Sequence, residues 1–333
     1  MTRDGANITN RIMLLGVLAG VAVLAMPAAA CPIPVYQYAL EWWERDAYEI
    51  YLFDNGEMTD EQQVLVDRLE SIAAGEEGEA PANLRLRRVQ AESEARLLAH
   101  SALRGETPGT FPWLVVYYPG MSARVRTPVW MGEVTAENLE ALLDSPLRRR
   151  VCEMLLNRTS VVWILLESGD TDADKQAAQL VERELKRLEN TLVPPELEAY
   201  GLDDMEISDI KFEFVRLSRD AADEKMLIEM LMKSEVDLVD YEDQPMLFPI
   251  FGRGLIMHAL VGRGINPRMI MDIAEFLTGP CSCTVKTANP GIDLLTAVDW
   301  SSRIEPLSQE FPDAAAGLGG FMESMEDARD IEP

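Results

Sequence analysis

The chain has 333 residues, 47% of them apolar, which suits a globular protein of two domains or one large one. Its formal net charge is −27. That charge repels phosphate backbones and anionic lipid heads, so it argues against a nucleic-acid partner and against electrostatic adsorption to a membrane.

At the start, Arg3 and Arg11 precede an apolar run from Ile12 to Met26; Pro27 breaks it, and Ala28-Ala29-Ala30 stand immediately before Cys31. A basic end, a short apolar core and a small-residue cleavage site read as a secretory signal over residues 1–30. The run is too short for a comfortable transmembrane helix. Cleavage after Ala30 leaves Cys31 as the first mature residue, which opens two fates. The exported chain is soluble, or Cys31 is lipidated and tethers it to a membrane through two acyl chains. Bacterial lipoprotein signals usually carry Leu where this chain has Ala28.

Beyond Cys31-Pro32 the spacing predicts a helix over Tyr36–Arg45, a strand over Tyr48–Phe53 and a helix from the cap Thr59 to about Ala73. Leu84–Val89 reads as a strand, Glu92–Leu103 as a helix, Trp113–Tyr118 and Val129–Glu133 as strands, and Thr135 caps a helix ending at Asp144. A second series opens at Ser145-Pro146 with helix Leu147–Leu156, proline standing in its first turn. Strand Val161–Leu166, helix Asp172–Leu192, strand Ile210–Leu217 and helix Ala221–Lys233 follow. An acidic loop then leads to Pro245, strand Met246–Phe251, turn Gly252-Arg253-Gly254, strand Leu255–Val261 and helix Pro267–Leu277.

The two series share one element order: helix, strand, helix, strand, helix, strand, strand, helix. Alternating helices and strands predict an α/β layer fold, and the closing strand pair makes part of each sheet antiparallel. We assign residues 31–144 and 145–300 to two such domains. Residues 301–333, acidic and rich in small residues, read as a flexible tail in which Leu318, Phe321, Met322 and Met325 form a short apolar stripe.

This order resembles two tandem thioredoxin-like domains. Pro112 before Trp113 and Pro245 before Met246 stand where that family places a cis-proline ahead of its third core strand. The resemblance stops at the chemistry. Redox members carry Cys-x-x-Cys after the first core strand; here those segments read Asp54-Asn55-Gly56-Glu57 and Glu167-Ser168-Gly169-Asp170. The chain is also similar to uncharacterised exported bacterial proteins that share its Cys-Pro…Tyr opening and its Gly-Pro-Cys-Ser-Cys loop. That similarity implies no activity, and fold alone does not assign one.

The remaining thiol chemistry centres on Cys281-Ser282-Cys283, set on a loop by Gly279-Pro280. Three readings stay open. One of the pair bridges to Cys31 or Cys152 as a structural disulfide. Alternatively Cys281 and Cys283 form a strained, exchange-active pair. In the third they bind a soft metal, Cu(I) or Zn(II), with Cys31 as a further thiolate. Cys152, on the apolar face of its helix, reads as a buried structural thiol.

Other candidates have plainer readings. His258 reads as a solvent-facing or hydrogen-bonded strand histidine, with a catalytic base as the alternative, and His100 lies near a helix end. Arg253 and Arg263 sit in Gly-x-Gly turns, and Arg148-Arg149-Arg150 reads as a helix face pairing with acids. Asn157-Arg158-Thr159 fits a glycosylation sequon. The sequence thus predicts an exported protein of the bacterial envelope, without a cofactor, whose leading function is binding or scaffolding of an envelope or membrane protein. Thiol exchange or copper handling at Cys281 and Cys283 is the alternative.

Overall fold

A computed structural model describes residues 32–76, 78, 80–90, 111–119, 128–197, 205–281 and 291–308. The predicted signal, Cys31, Cys283, His100, the helix expected over residues 92–103 and the tail from residue 309 lie outside the described residues.

Helix α1 (Val35–Trp42) is followed by strand β1 (Tyr48–Asp54) and helix α2 (Asp60–Ala74). The start of α2 is a capping box. The Thr59 side chain accepts from Gln62 N–H while the Gln62 side chain accepts from Thr59 N–H, and Gly75, at φ 68°, closes the other end. Strands β2 (Leu84–Gln90), β3 (Trp113–Tyr117) and β4 (Trp130–Glu133) and helix α3 (Ala136–Leu143) complete the first unit. Its sheet runs β2-β1-β3-β4. The β1–β2 pair is parallel, bridged by α2, and the other pairs are antiparallel.

Helix α4 (Pro146–Leu156) opens the second unit on the Ser145 cap. Strand β5 (Val161–Leu166), helix α5 (Thr171–Glu189), strand β6 (Phe212–Leu217), helix α6 (Lys225–Met232) and strand β7 (Met246–Phe251) follow. Short strands β8 (Leu255–Ile256) and β9 (Leu260–Val261), helix α7 (Pro267–Thr278), strand β10 (Ile292–Asp293) and helix α8 (Trp300–Arg303) close it. The pairing repeats that of the first unit: β5 lies parallel to β6 and antiparallel to β7. Two mixed sheets flanked by helices thus give the expected tandem α/β architecture.

One predicted strand is divided. Leu255–Val261 splits into β8 and β9, and their registers against β7 differ by one residue: Ile250 faces Ile256, whereas Leu247 faces Leu260. Between them the three residues Met257–Ala259 oppose the two residues Phe248 and Pro249, so the partner strand bulges there. The Ala259 N–H released by the bulge donates to Glu235 Oε1 at 2.7 Å.

The packing crosses the boundary between the units. One continuous apolar core joins the inner faces of both sheets, running from Ile50, Leu114 and Leu69 through Val151 and Leu227 to Ile164 and Phe248. Helix α1, which the sequence places in the first unit, covers the far face of the second sheet: Val35, Tyr36 and Ala39 pack with Trp163, Leu165 and Phe251 beside α5 and α7. Gly252 permits this approach. At φ 59°, a Cβ on it would lie 2.7 Å from the Ala39 Cβ.

Residues 291–308 form a strap across both units. Leu294, Leu295 and Trp300 enter the shared core. Tyr48 Oη donates to the Asp293 carbonyl at 2.8 Å, and Asn83 Nδ2 donates to the Leu294 carbonyl at 3.1 Å. The flexible tail expected from Ser301 is ordered through Ser308. The reason is Glu41, a buried carboxylate that accepts from Leu307 N–H at 3.1 Å, from Ser308 N–H at 3.0 Å and from Arg158 Nη1 at 3.0 Å.

Candidate functional site

Cys281 is not displayed on the surface. Pro34 and Pro280 form an antiparallel bridge. Cys281 N–H donates to the Ile33 carbonyl at 2.8 Å, and Val35 N–H donates to the Gly279 carbonyl at 3.1 Å. This pairing draws the Cys281 side chain, 2% exposed, into the apolar layer with α1 and α7. It also brings the segment just after Cys31 beside Cys281. Cys31 and Cys283 themselves lie outside the described residues. Among the described residues no group of three or more His, Cys, Asp or Glu is placed to hold a metal ion, and no helix is long and apolar enough to cross a membrane.

Where redox thioredoxin-like proteins hold their thiols, both turns close on themselves. In the first unit, Asp54 Oδ1 accepts from Gly56 N–H at 3.0 Å and Asp54 Oδ2 from Arg88 Nε at 3.0 Å. Phe111–Pro112, across from the start of α2, is a cis peptide, and the Phe111 carbonyl accepts from Gln62 Nε2 at 3.5 Å. In the second unit, the buried Asp174 carboxylate accepts from Ser168 N–H and Oγ, each at 2.8 Å, and from Gly169 N–H at 3.0 Å. Of the two candidate cis-prolines only Pro112 follows a cis bond; Gln244–Pro245 is not among the cis peptides of the described residues.

Cys152 on α4 is buried between two arginines at the junction of the units. Burial pushes its thiol up to about 12, against a partial opposing pull from Arg45 and Arg148. Arg148 is 1% exposed, and burial lowers its guanidinium to about 10, so it stays charged at neutral pH. It donates from Nη1 to the Leu142 and Leu295 carbonyls at 2.9 and 3.0 Å, from Nη2 to the Ala141 carbonyl and from Nε to Ser145 Oγ at 3.1 Å. Arg45 similarly donates to Asn83 Oδ1 at 3.0 Å and to the Thr296 carbonyl at 2.8 Å. The run Arg148-Arg149-Arg150 is therefore no uniform helix face: Arg149 pairs with Asp144 outside while Arg148 ties the strap to α3 from within. Sequence reasoning missed this, because a buried arginine in an arginine run carries no local signal.

The glycine-flanked arginine of the β7–β8 turn also has a structural task. Arg253 donates from Nε to the Leu40 carbonyl at 2.8 Å and from Nη2 to the Glu41 carbonyl at 2.6 Å, satisfying the end of α1. In the sequon, Asn157 is exposed while Thr159 is buried at 2% exposure.

An apolar groove lies beside α6. About 510 Å³ in volume, it is lined by Ile228, Met232, Val236 and Val239, with Arg219 and Lys233 among its polar neighbours. Val236 and Val239 are 75% and 60% exposed. Glu235 secures the wall by receiving Ala259 N–H and by facing His258 Nδ1 at 3.1 Å, so the exposed His258 is a hydrogen-bond partner at the bulge. Arg219 borders the groove, donating to Met232 Sδ at 3.0 Å and to the Gln244 carbonyl at 3.2 Å.

No protein-family model and no curated protein matches the chain. Among solved structures it is similar to ERdj5, crystal form I, at 11% identity and a TM-score of 0.23, over 78% of this chain and 31% of that one. The chain thus spans under a third of that protein's length. A likeness at that score carries no argument; the strand order and pairing within the chain define the fold.

Proposed function

We propose that the chain is an exported, non-catalytic binding or scaffolding protein of the bacterial cell envelope, built on two thioredoxin-like units. The observation that supports it is the chemistry of the two turns after β1 and β5. Each is closed by an aspartate, Asp54 or Asp174, that consumes the turn's own N–H groups, and neither carries a thiol. The scaffold is kept and its redox apparatus is replaced by self-satisfied polar structure. Export rests on the signal-like stretch before Cys31.

The competing reading is thiol exchange at Cys281 and Cys283. Exchange needs an accessible thiolate, and the Cys281 side chain is buried. The deciding experiment compares insulin reduction by the full mature chain with that by Cys281→Ser and Cys283→Ser variants. We expect no turnover above the variants. Turnover lost on either substitution overturns the proposal in favour of exchange. Intact-mass measurement on protein from the native host then settles the tether: a mass excess of acyl chains on Cys31 is the lipid-anchored form.

A further inference from the structure

We infer that the groove beside α6 is a docking site for a basic amphipathic helix of a partner protein. The inference rests on the binding reading above and names the partner's chemistry. The first observation is shape. The groove, about 510 Å³, lies within the roughly 300–1,000 Å³ typical of ligand clefts. Its apolar lining is Ile228 and Met232, one helical turn apart on α6, with Val236 and Val239 three apart in the segment that follows. Such spacing suits a helix laid in a groove with anchors at i, i+3, i+4 and i+7.

The second observation is exposure. Val236, Val239 and Tyr241, at 75%, 60% and 43%, are three of the exposed large apolar residues of the described chain, and they fall within six consecutive positions. Scattered exposed apolar residues need no explanation, but a cluster around an open groove marks an interaction surface. The wall is also held in place: Glu235 anchors its start to the β8–β9 bulge, and the 3-10 turn Leu238–Tyr241 buries Leu238 beneath it. A preformed wall lowers the ordering cost of binding.

The third observation chooses the partner's charge. Glu229, Glu235 and Glu242 line the groove beside Arg219 and Lys233, Lys233 is paired with Glu229, and the adjoining segment Ser234–Gln244 adds Asp237, Asp240 and Asp243 and no further basic residue. Asp237, Asp240, Glu242 and Asp243 are solvent-exposed around the valines. Set in a molecule of net charge −27, this rim repels acidic segments and attracts a helix with lysine or arginine flanking its apolar face. An anionic lipid surface is disfavoured by the same charge.

The probe is a synthetic lysine–leucine amphipathic helix of about 18 residues, titrated against the full mature chain by fluorescence anisotropy. We expect saturable one-to-one binding that weakens with salt. The double variant Val236→Asp/Val239→Asp should weaken it at least roughly tenfold, although it adds negative charge. The triple variant Asp240→Asn/Glu242→Gln/Asp243→Asn should weaken it less and flatten the salt dependence. All substituted residues are exposed, so unchanged circular dichroism and melting establish that each variant folds. Equal binding by the double variant, or by a glutamate–leucine probe of the same pattern, overturns the inference. Photo-cross-linkers at Val239 and at the distant exposed Val64, read in the native host, separate the two levels. Adducts from Val64 alone overturn the groove and leave the binding reading standing; adducts from neither overturn both.

Discussion

At the scale of single residues, two buried groups carry no local sequence signal of their role. Cys152 has its thiol held up to about 12 by burial, from an ordinary value of 9.0. At pH 8 its thiolate is negligible, so iodoacetamide should leave Cys152 unmodified in the folded chain and label it after urea unfolding. The linkage has a definite sign. Below about pH 9 the thiol is neutral in both states and contributes no pH dependence. From there to about 12 the unfolded chain ionises and the folded chain does not, so stability falls as pH rises, by at most about 1.4 kcal/mol per unit. Urea midpoints measured between pH 8 and 11 should show this decline in the parent and lose that part of it in Cys152→Ala. Arg148 is the second group. Arg148→Met strands the carbonyls of Ala141, Leu142 and Leu295, each worth about 1–3 kcal/mol when buried without a donor, and should destabilise the chain by at least about 3 kcal/mol in urea titrations.

At the scale of elements, local signals were readable and contacts between elements were not. Thr59, Thr135, Ser145 and Asn266 each accept an N–H from the first turn of the helix they precede, as their residue types imply. Thr59→Ala should cost about 1 kcal/mol, measurable as a shift in urea midpoint, because it removes one half of a capping box. Gly252 makes the contrasting case. Its glycine is legible as a turn, but the Ala39 contact that makes it indispensable comes from a helix more than 200 residues away. Gly252→Ala should be more destabilising than the Thr59 change, since it adds left-handed strain to a clash with α1. Melting of the two variants side by side tests that order. The split of Leu255–Val261 was not legible in sequence, because the offset between β8 and β9 is set only by their registers against β7.

At the scale of the whole molecule, the duplicated order suggests two independent domains, yet the core is one. Helix α1 serves the second sheet, and the strap 291–308 buries Leu294, Leu295 and Trp300 between the units while Glu41 holds its end. Thermal unfolding should therefore be a single cooperative transition, and residues 31–144 expressed alone should lack a folded circular-dichroism spectrum. Two resolved transitions would show that the units fold separately. Glu41→Ala leaves Arg158 and two strap N–H groups without their acceptor and should destabilise the chain by about 3–5 kcal/mol in urea titrations, the range for breaking a buried ion pair.

What the sequence determined by itself is local and periodic. Helix caps, strand alternation and the order of elements follow from residue type and spacing, so the α/β class, both repeats and the absence of Cys-x-x-Cys were present before any coordinates. Tertiary structure alone decided which side chains meet across long separations. It placed α1 on the far sheet, buried Arg148 out of an arginine run, drew Cys281 inward against Ile33 and opened a groove beneath Val236 and Val239. The physical reason is that caps and periodicity act over a few residues, whereas burial and carbonyl satisfaction depend on which surfaces the whole chain brings together.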